Sequence, residues 1–541
     1  MILSSARTRA ALVGTLVLLA CASCATPQPA IDADAPLVRR VDLDAFELPD
    51  EYRIEVWVRD LDFPTDVTFA PDGRAWVAEC GPHGWGIELE RSPPARIRAI
   101  GRNGNTSILY DTNVPIAAIR DAASTAELPE GLIGPVCGVT FHPGNGLLYV
   151  SHRGRISTLS PETGEFRTII DGLPTWGPFS AGKVIVDANG DIVFALPTQT
   201  NAGVVDERAL SYFQAYGKLD EHDRPGATIE LAGRNFEVES PDASLASPGP
   251  TGAFVPLGTR TDEGFKILGQ EIANGAFYRA GPDGSNLRAV AWGFRNPFDY
   301  DVSPDGRLIA LETGADPVPP RAFFRDWDAF YEVREGRWYG WPDFRAGLPV
   351  ADPRFRDAPD TFLEPSYEIE PLLTETTHRE LLGDEPRPPV PLLRLEPHIG
   401  ATGFAFASPR FGLGQDVVVV AEFGTIFPEL GLLANVPGFR VARMSLADGR
   451  SRTFIRSPVG RIVSAGGEGG GLERPIRVEF APDGALVVVD WGILAMKRDR
   501  VIAHPGTGVL FRVTPVEPDV PNAPLSASGT DKPSRGRTPR S

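Results

Sequence analysis

One unit recurs along the chain and limits what it can fold into: an apolar strand, a turn of the Pro-Asp-Gly kind, and a second apolar strand. Six copies are recognisable. They are FPTDVTFAPDGRAWVAE from Phe63, GPVCGVTFHPGNGLLYVSH from Gly134, SAGKVIVDANGDIVFAL from Ser180, FRNPFDYDVSPDGRLIALE from Phe294, ATGFAFASPRFGLGQDVVVVAE from Ala401 and RPIRVEFAPDGALVVVD from Arg474. Such a hairpin cannot bury both of its faces alone, and radial stacking about an axis leaves only short, protected edges. The fold class that follows is all-β: a six-bladed β-propeller of four-stranded antiparallel sheets with long inserted loops. The copies begin at uneven intervals, whereas a minimal blade needs about 40 to 50 residues. Residues 206–273, rich in Gly, Pro and Asp, and residues 343–397, which hold PRPPVP, read as insertions. Loops of that size on a rigid scaffold are common places for a ligand. The propeller is expected over residues 48–515, after a linker at 21–47. Residues 516–541, Pro-, Ser-, Lys- and Arg-rich, read as a disordered tail.

The ends and the charge set the cellular context. Arg7 and Arg9 precede an apolar run from Ala10 to Ala20, the length of a signal-peptide core and too short to span a bilayer. It closes on LLAC, Leu18 to Cys21, which resembles a bacterial lipobox. That resemblance implies cleavage before Cys21, acylation of its thiol and, with no Asp in the next two positions, an outer-membrane anchor facing the periplasm or the cell surface. A plain secretory signal is the competing reading, and Cys24 is a spare candidate. The formal charge of -18 would repel phosphate, which argues against nucleic acid or an anionic bilayer as partner, with membrane contact only through the lipid. Beyond the leader only Cys80 and Cys137 remain. In an exported chain they read either as one disulfide or as two isolated buried thiols.

Several motifs then point to a family. FRNPF with its PDG hairpin and ETGAD, WYGWPDF from Trp338, TQTNAGVV from Thr198, GAFVPLGTRT from Gly252, GFRVARMSLADG from Gly438, GLERPIRVEFAPDGALVVVDWG from Gly471 and PGTGVLFRVT from Pro505 together resemble the glucose/sorbosone dehydrogenase family, and most of all its sorbosone-dehydrogenase-like branch. The resemblance implies a six-bladed propeller that oxidises a sugar or other polyol with pyrroloquinoline quinone (PQQ) and calcium, passing electrons to a periplasmic acceptor. Carried over by position, it implies that Arg295, Asn296 and Arg474 contact the quinone, where a guanidinium suits a carboxylate and a carboxamide a carbonyl. It implies that the backbone carbonyls of Gly314 and Ala315 ligate calcium. Trp338, Tyr339 and Trp341 are expected to line the cleft against the cofactor or a sugar.

The pattern also breaks. The family places a basic histidine before the third copy, and here residues 176–187 contain none; Phe179, Ser180 and Lys183 stand there instead. VVVVAEFGTIFP lacks the lysine of other members, and Ile476 stands where a second late arginine is expected. His398, in EPHIGATGFAF, is the expected replacement base, with His83 a weaker candidate. Glu312 and Glu422, which end equivalent strands, are candidate bases or calcium ligands, against a simpler role in hydrogen bonds set by the repeat. Two readings follow: a quinone-dependent oxidoreductase with a rearranged base, or a propeller that has lost the chemistry and binds a carbohydrate or a protein.

Overall fold

The computed structural model describes residues 37–238, 249–355, 369–414, 417–426, 438–496 and 501–516. Cys21, and the proposed tail beyond Val516, lie outside them. Six four-stranded antiparallel sheets form the blades of a propeller. Blade one is Pro64–Phe69, Ala75–Glu79, Arg96–Ile100 and Thr106–Tyr110; blade two is Val136–Phe141, Leu148–His152, Arg155–Leu159 and Phe166–Ile170. Blade three is Ile185–Val186, Ile192–Leu196, Ala276–Ala280 and Arg288–Trp292; blade four is Pro297–Val302, Leu308–Glu312, Trp327–Glu332 and Leu393–Pro397. Blade five is Ala401–Phe406, Val417–Glu422, Arg440–Ser445 and Ser451–Arg456. Blade six joins Pro475–Phe480, Leu486–Asp490 and Gly508–Pro515 to the early strand Tyr52–Leu61, which pairs with the last strand from Tyr52 opposite Pro515 to Leu61 opposite Gly508. The two ends of the domain thus close the ring by backbone pairing.

Each recurring motif forms the inner two strands of a blade. The Pro-Asp-Gly turns work because Gly73, Gly306 and Gly484 take φ near +90°, which L side chains rarely adopt. Ahead of the first strand, Phe46 is buried and Arg39 reaches Asp490 at 2.8 Å, so residues 37–47 pack against blades five and six.

Two insertions emerge from blades three and four. The first carries a helix, Glu207–Tyr216, capped by Asp206 and ended at Gly217 in the left-handed conformation. The second carries a hairpin and a helix, Glu375–Leu382. It ends before the sequence pattern suggested, because Leu393–Pro397 is the outer strand of blade four: Leu393 and Leu395 face inward while Arg394 and Glu396 are exposed. Among the described residues, no helix is long and apolar enough to cross a membrane.

Candidate functional site

The inner strands carry a repeated irregularity that builds the site. Pairing with the second strand slips between Pro64 and Asp66, Val136 and Gly138, Pro297 and Asp299, Ala401 and Gly403, and Pro475 and Arg477. The residue in each gap is a β-bulge, which re-aims a side chain out of the ladder. Those residues, Thr65, Cys137, Phe298, Thr402 and Ile476, all line one axial cleft. The next residue in three of these blades, Asp66, Asp299 or Arg477, joins Lys183, just ahead of blade three, in an ionic cluster. Arg477 pairs with Asp299 and with Asp66 at 3.3 Å, and Lys183 pairs with Asp299 at 3.2 Å. Asp299 also accepts the N–H of Phe404 at 2.7 Å, and Asp66 that of Val139 at 3.0 Å. All six blades are therefore tied at the axis beneath the cleft. Burial raises Asp66, while Arg477 and Lys183, overcoming burial, hold Asp299 below its ordinary range.

Loops at the ends of second strands make the polar walls of the cleft. Thr313, Gly314 and Asp316 come from blade four; Phe423, Gly424 and Thr425 come from blade five; the helix of the first insertion contributes Arg208. Asp316 receives Arg295 Nη2 at 2.6 Å and Arg208 Nη2 at 2.7 Å. Burial alone would raise its carboxyl, but the two guanidinium groups hold it at about 2.

Arg295 and Asn296 both reach this end of blade four, with different roles. Asn296 lines the cleft and donates to the Thr313 hydroxyl at 2.9 Å. Arg295 also lines it, yet its guanidinium is engaged throughout: Nε donates to Asn201 O at 3.0 Å, Nη1 to Gly314 O at 2.6 Å, and Nη2 to Asn201 Oδ1 at 2.7 Å and to Asp316. Phe179 stacks 4.6 Å from its centre. Arg295 thus fastens the Asp316 loop to Asn201, a residue of the TQTNAGVV motif. Arg474 is fully buried behind the blade-five loop, where it donates to the carbonyls of Phe423, Gly424 and Thr425, and burial lowers its pKa to about 9. It shapes the wall without lining it.

The Gly314-Ala315 segment is pinned from every side. Gly314 N–H donates to Asp328, Ala315 N–H to Asp326 at 2.6 Å and Asp316 N–H to Asn201, while Gly314 O accepts Arg295. A cation at that carbonyl would meet a guanidinium nitrogen 2.6 Å from the same oxygen, so this donor set does not fit calcium. Among the described residues, no three His, Cys, Asp or Glu side chains gather as a metal site. PQQ carries carboxylates, and most donors of the two arginines assigned to it are turned to acceptors within the protein; Arg474 Nε and Arg208 Nε are buried without one.

The remaining expected residues divide. His398 does line the cleft, in a left-handed conformation with φ 59°, and its Nε2 lies 2.7 Å from Phe324 O. A carbonyl can only accept, so Nε2 carries a proton. His83 lies deep in an apolar part of the cleft, where burial pushes its pKa to about 3. Glu312 accepts the Arg295 N–H and pairs with Arg345 at 3.1 Å, and Glu422 pairs with Arg440 at 2.6 Å. Both therefore serve the repeat's own hydrogen bonds. Tyr339 and Trp341 are absent from the cleft walls. Tyr339 stacks on Phe294 at 4.0 Å and donates to Glu332 O, while Trp338 and Trp341 pack in the core of the insertions. Cys80 and Cys137 are free thiols, both on the cleft wall, and burial raises Cys137 to about 11.

Asp328 escaped the sequence reading. It lines the polar lobe with one oxygen on Gly314 N–H and the other on Ala401 N–H, each at 2.7 Å. Burial drives its carboxyl up to about 7 despite those bonds. The signal was an acid alternating into an apolar strand, Trp327-Asp328-Ala329-Phe330.

No protein-family model matches the chain, and no curated protein does. Solved structures do match. The holo form of the pyranose dehydrogenase PQQ domain from Coprinopsis cinerea aligns at TM-score 0.50 and 13% identity, over 87% of this chain and 97% of that one. An oxidoreductase (glucose dehydrogenase) from Thermus thermophilus aligns at TM-score 0.45 and 17% identity, over 85% and 99%. The PQQ-bound aldose sugar dehydrogenase from Streptomyces coelicolor aligns at TM-score 0.46 and 14% identity, over 86% and 100%. What the chain shares with the Coprinopsis domain at such identity is the fold, a six-bladed β-propeller.

Proposed function

We propose that the chain is an exported, lipid-anchored propeller of the glucose/sorbosone dehydrogenase family whose axial cleft binds a sugar or other polyol. One observation carries this reading: ionised Asp316 and buried Asp328, with Asn296 and Thr402, share a cleft with Trp85, Phe179, Phe298 and Phe423. Carboxylates and amides accept and donate to the hydroxyls of a polyol, and aromatic faces cover its C–H surface. The family and the lipid anchor are supported by the motifs and the lipobox.

Oxidation of that ligand is a second reading, favoured by His398. The imidazole stands on the cleft wall beside Asp316, where a reacting hydroxyl would need a proton acceptor. For PQQ to be the partner in that chemistry, Arg295 or Arg208 would have to exchange part of its bonding to Asp316 for a carboxylate of the quinone. Calorimetric titration of the purified protein with aldoses and alditols tests the binding reading, and absence of heat at millimolar ligand would sink it. Parallel titration with PQQ and calcium, followed by absorbance as an aldose is added, separates the two readings. Bleaching of bound quinone establishes oxidation, whereas sugar binding without quinone binding leaves the binding module.

A further inference from the structure

The polar lobe opens directly onto a second, apolar lobe, since Trp85, Phe179, Asn296, Phe298 and Ile476 line both. Phe179, Phe298, Trp85 and Trp491 surround the second lobe, and the one charged group on its wall, Arg477, is paired with Asp299 and Asp66. A sugar ring placed there would find no carboxylate for its hydroxyls, a costly burial. A flat ring would be covered on its faces.

The lining also carries Thr65, Ser180 and Asn296, and among its polar groups two aromatic N–H donors stand side by side. His83 Nδ1 accepts the Trp85 N–H at 2.9 Å, and its buried ring is neutral, so the proton sits on Nε2. That N–H has no acceptor, and neither has the indole N–H of Trp491. The two residues are 3% and 0% exposed, with ring centroids 5.3 Å apart. A buried donor left unmatched costs about 1–3 kcal/mol, a penalty relieved by any ligand oxygen that reaches it.

We propose that the apolar lobe is an aglycone pocket, so that the ligand is an aryl-substituted polyol of the aryl glycoside kind. Its sugar lies in the polar lobe among Asp316, Asp328 and Asn296, and its aromatic group, bearing an oxygen acceptor, enters the apolar lobe beside His83 and Trp491. The inference rests on the sugar-binding reading of the polar lobe, and the test keeps the two apart. Matched methyl and 4-nitrophenyl glycosides of glucose, galactose, mannose and xylose are titrated calorimetrically into the wild type, Trp491→Phe and His83→Phe. The 4-nitrophenyl member of the binding pair is expected to bind at least about tenfold tighter, from the apolar area that it buries. Trp491→Phe keeps the ring and removes the N–H, and is expected to cut that gain about fivefold while leaving the methyl glycoside unchanged; His83→Phe is expected to act likewise. Equal affinity for both members of every pair overturns the aglycone pocket and leaves sugar binding standing. Failure of all glycosides to bind overturns both, and binding of 4-nitrophenol without any glycoside overturns the glycoside assignment.

Discussion

Arg295 was expected to contact the quinone; its surroundings make it a fastener of the fold as well. Its side chain is 1% exposed and makes four hydrogen bonds, one of them to a carboxylate. Truncation to Ala strips an acceptor's partner from Asn201 O, Asn201 Oδ1 and Gly314 O, and leaves Asp316 with Arg208 as its guanidinium partner. Breaking a buried pair by removing one member costs about 3–5 kcal/mol. Because Asp316 keeps Arg208 at 2.7 Å, the lower end, about 3 kcal/mol, is expected here. Arg295→Lys keeps the charge but cannot span Asn201, Gly314 and Asp316 with one fork, and an intermediate loss of about 1–2 kcal/mol is expected. Urea denaturation of the three proteins at pH 7 measures both values. A loss under about 1 kcal/mol for Arg295→Ala, together with loss of quinone binding that the wild type possesses, would refute the fastening role and return Arg295 to the cofactor.

Other expectations concern titration, packing and the thiols. Burial raises Asp328, Asp223, Glu473 and Glu479 to about 7. Each keeps its proton in the folded state after the unfolded chain has lost it near pH 4, so the stability they contribute is present below that pH and is lost as pH rises through 7. Denaturation midpoints are accordingly expected to fall between pH 5 and pH 8, and a rising midpoint would contradict the buried placement of these acids. Gly138→Ala would drive a Cβ into the backbone of Lys183 at the axis; a loss of about 1–3 kcal/mol by thermal denaturation is expected. Cys80 and Cys137 are expected to resist alkylation in the native protein and to react after denaturation without reductant, as read by peptide mapping. Protection that persists in denaturant would indicate a bridge.

How much of this was legible in the sequence depended on distance along the chain. The hairpins were legible because Pro-Asp-Gly and alternating apolar residues act within a few positions, and the six copies led to six blades. The cleft end of blade four was legible for the same reason, since Arg295-Asn296 abuts the strand whose Pro297 starts it. What the guanidinium would bind was not, because Asn201 and Asp316 arrive from separate loops and only the closed ring brings them within 3 Å. Tyr339 and Trp341 illustrate a different loss. An aromatic side chain suits a cleft wall and an apolar core equally: Tyr339 enters the core between blades three and four, and Trp341 the core of the insertions.

The bulges explain why the axis carries both the stability and the site. An unbroken inner strand would turn alternate residues toward the axis, and a run such as Thr65-Asp66 could not present both. The slip in register lets the bulge residue face the cleft while the next residue enters the ionic cluster below it. Side chains in the cleft can then vary with the ligand, as the mixed set Thr65, Cys137, Phe298, Thr402 and Ile476 does, without disturbing the Asp66-Arg477-Asp299-Lys183 contacts that tie the blades. On this reasoning Ile476→Arg, which supplies the late arginine that the family resemblance leads one to expect, leaves the axial contacts of Arg477 in place. The added charge would face Phe298 and Trp85 across the apolar lobe. It is therefore expected to weaken binding of 4-nitrophenyl glycosides about tenfold through lost apolar contact and, because Ile476 also edges the polar lobe, to weaken the methyl glycosides to a lesser degree. Equal weakening of both would mean that the two lobes do not divide the ligand.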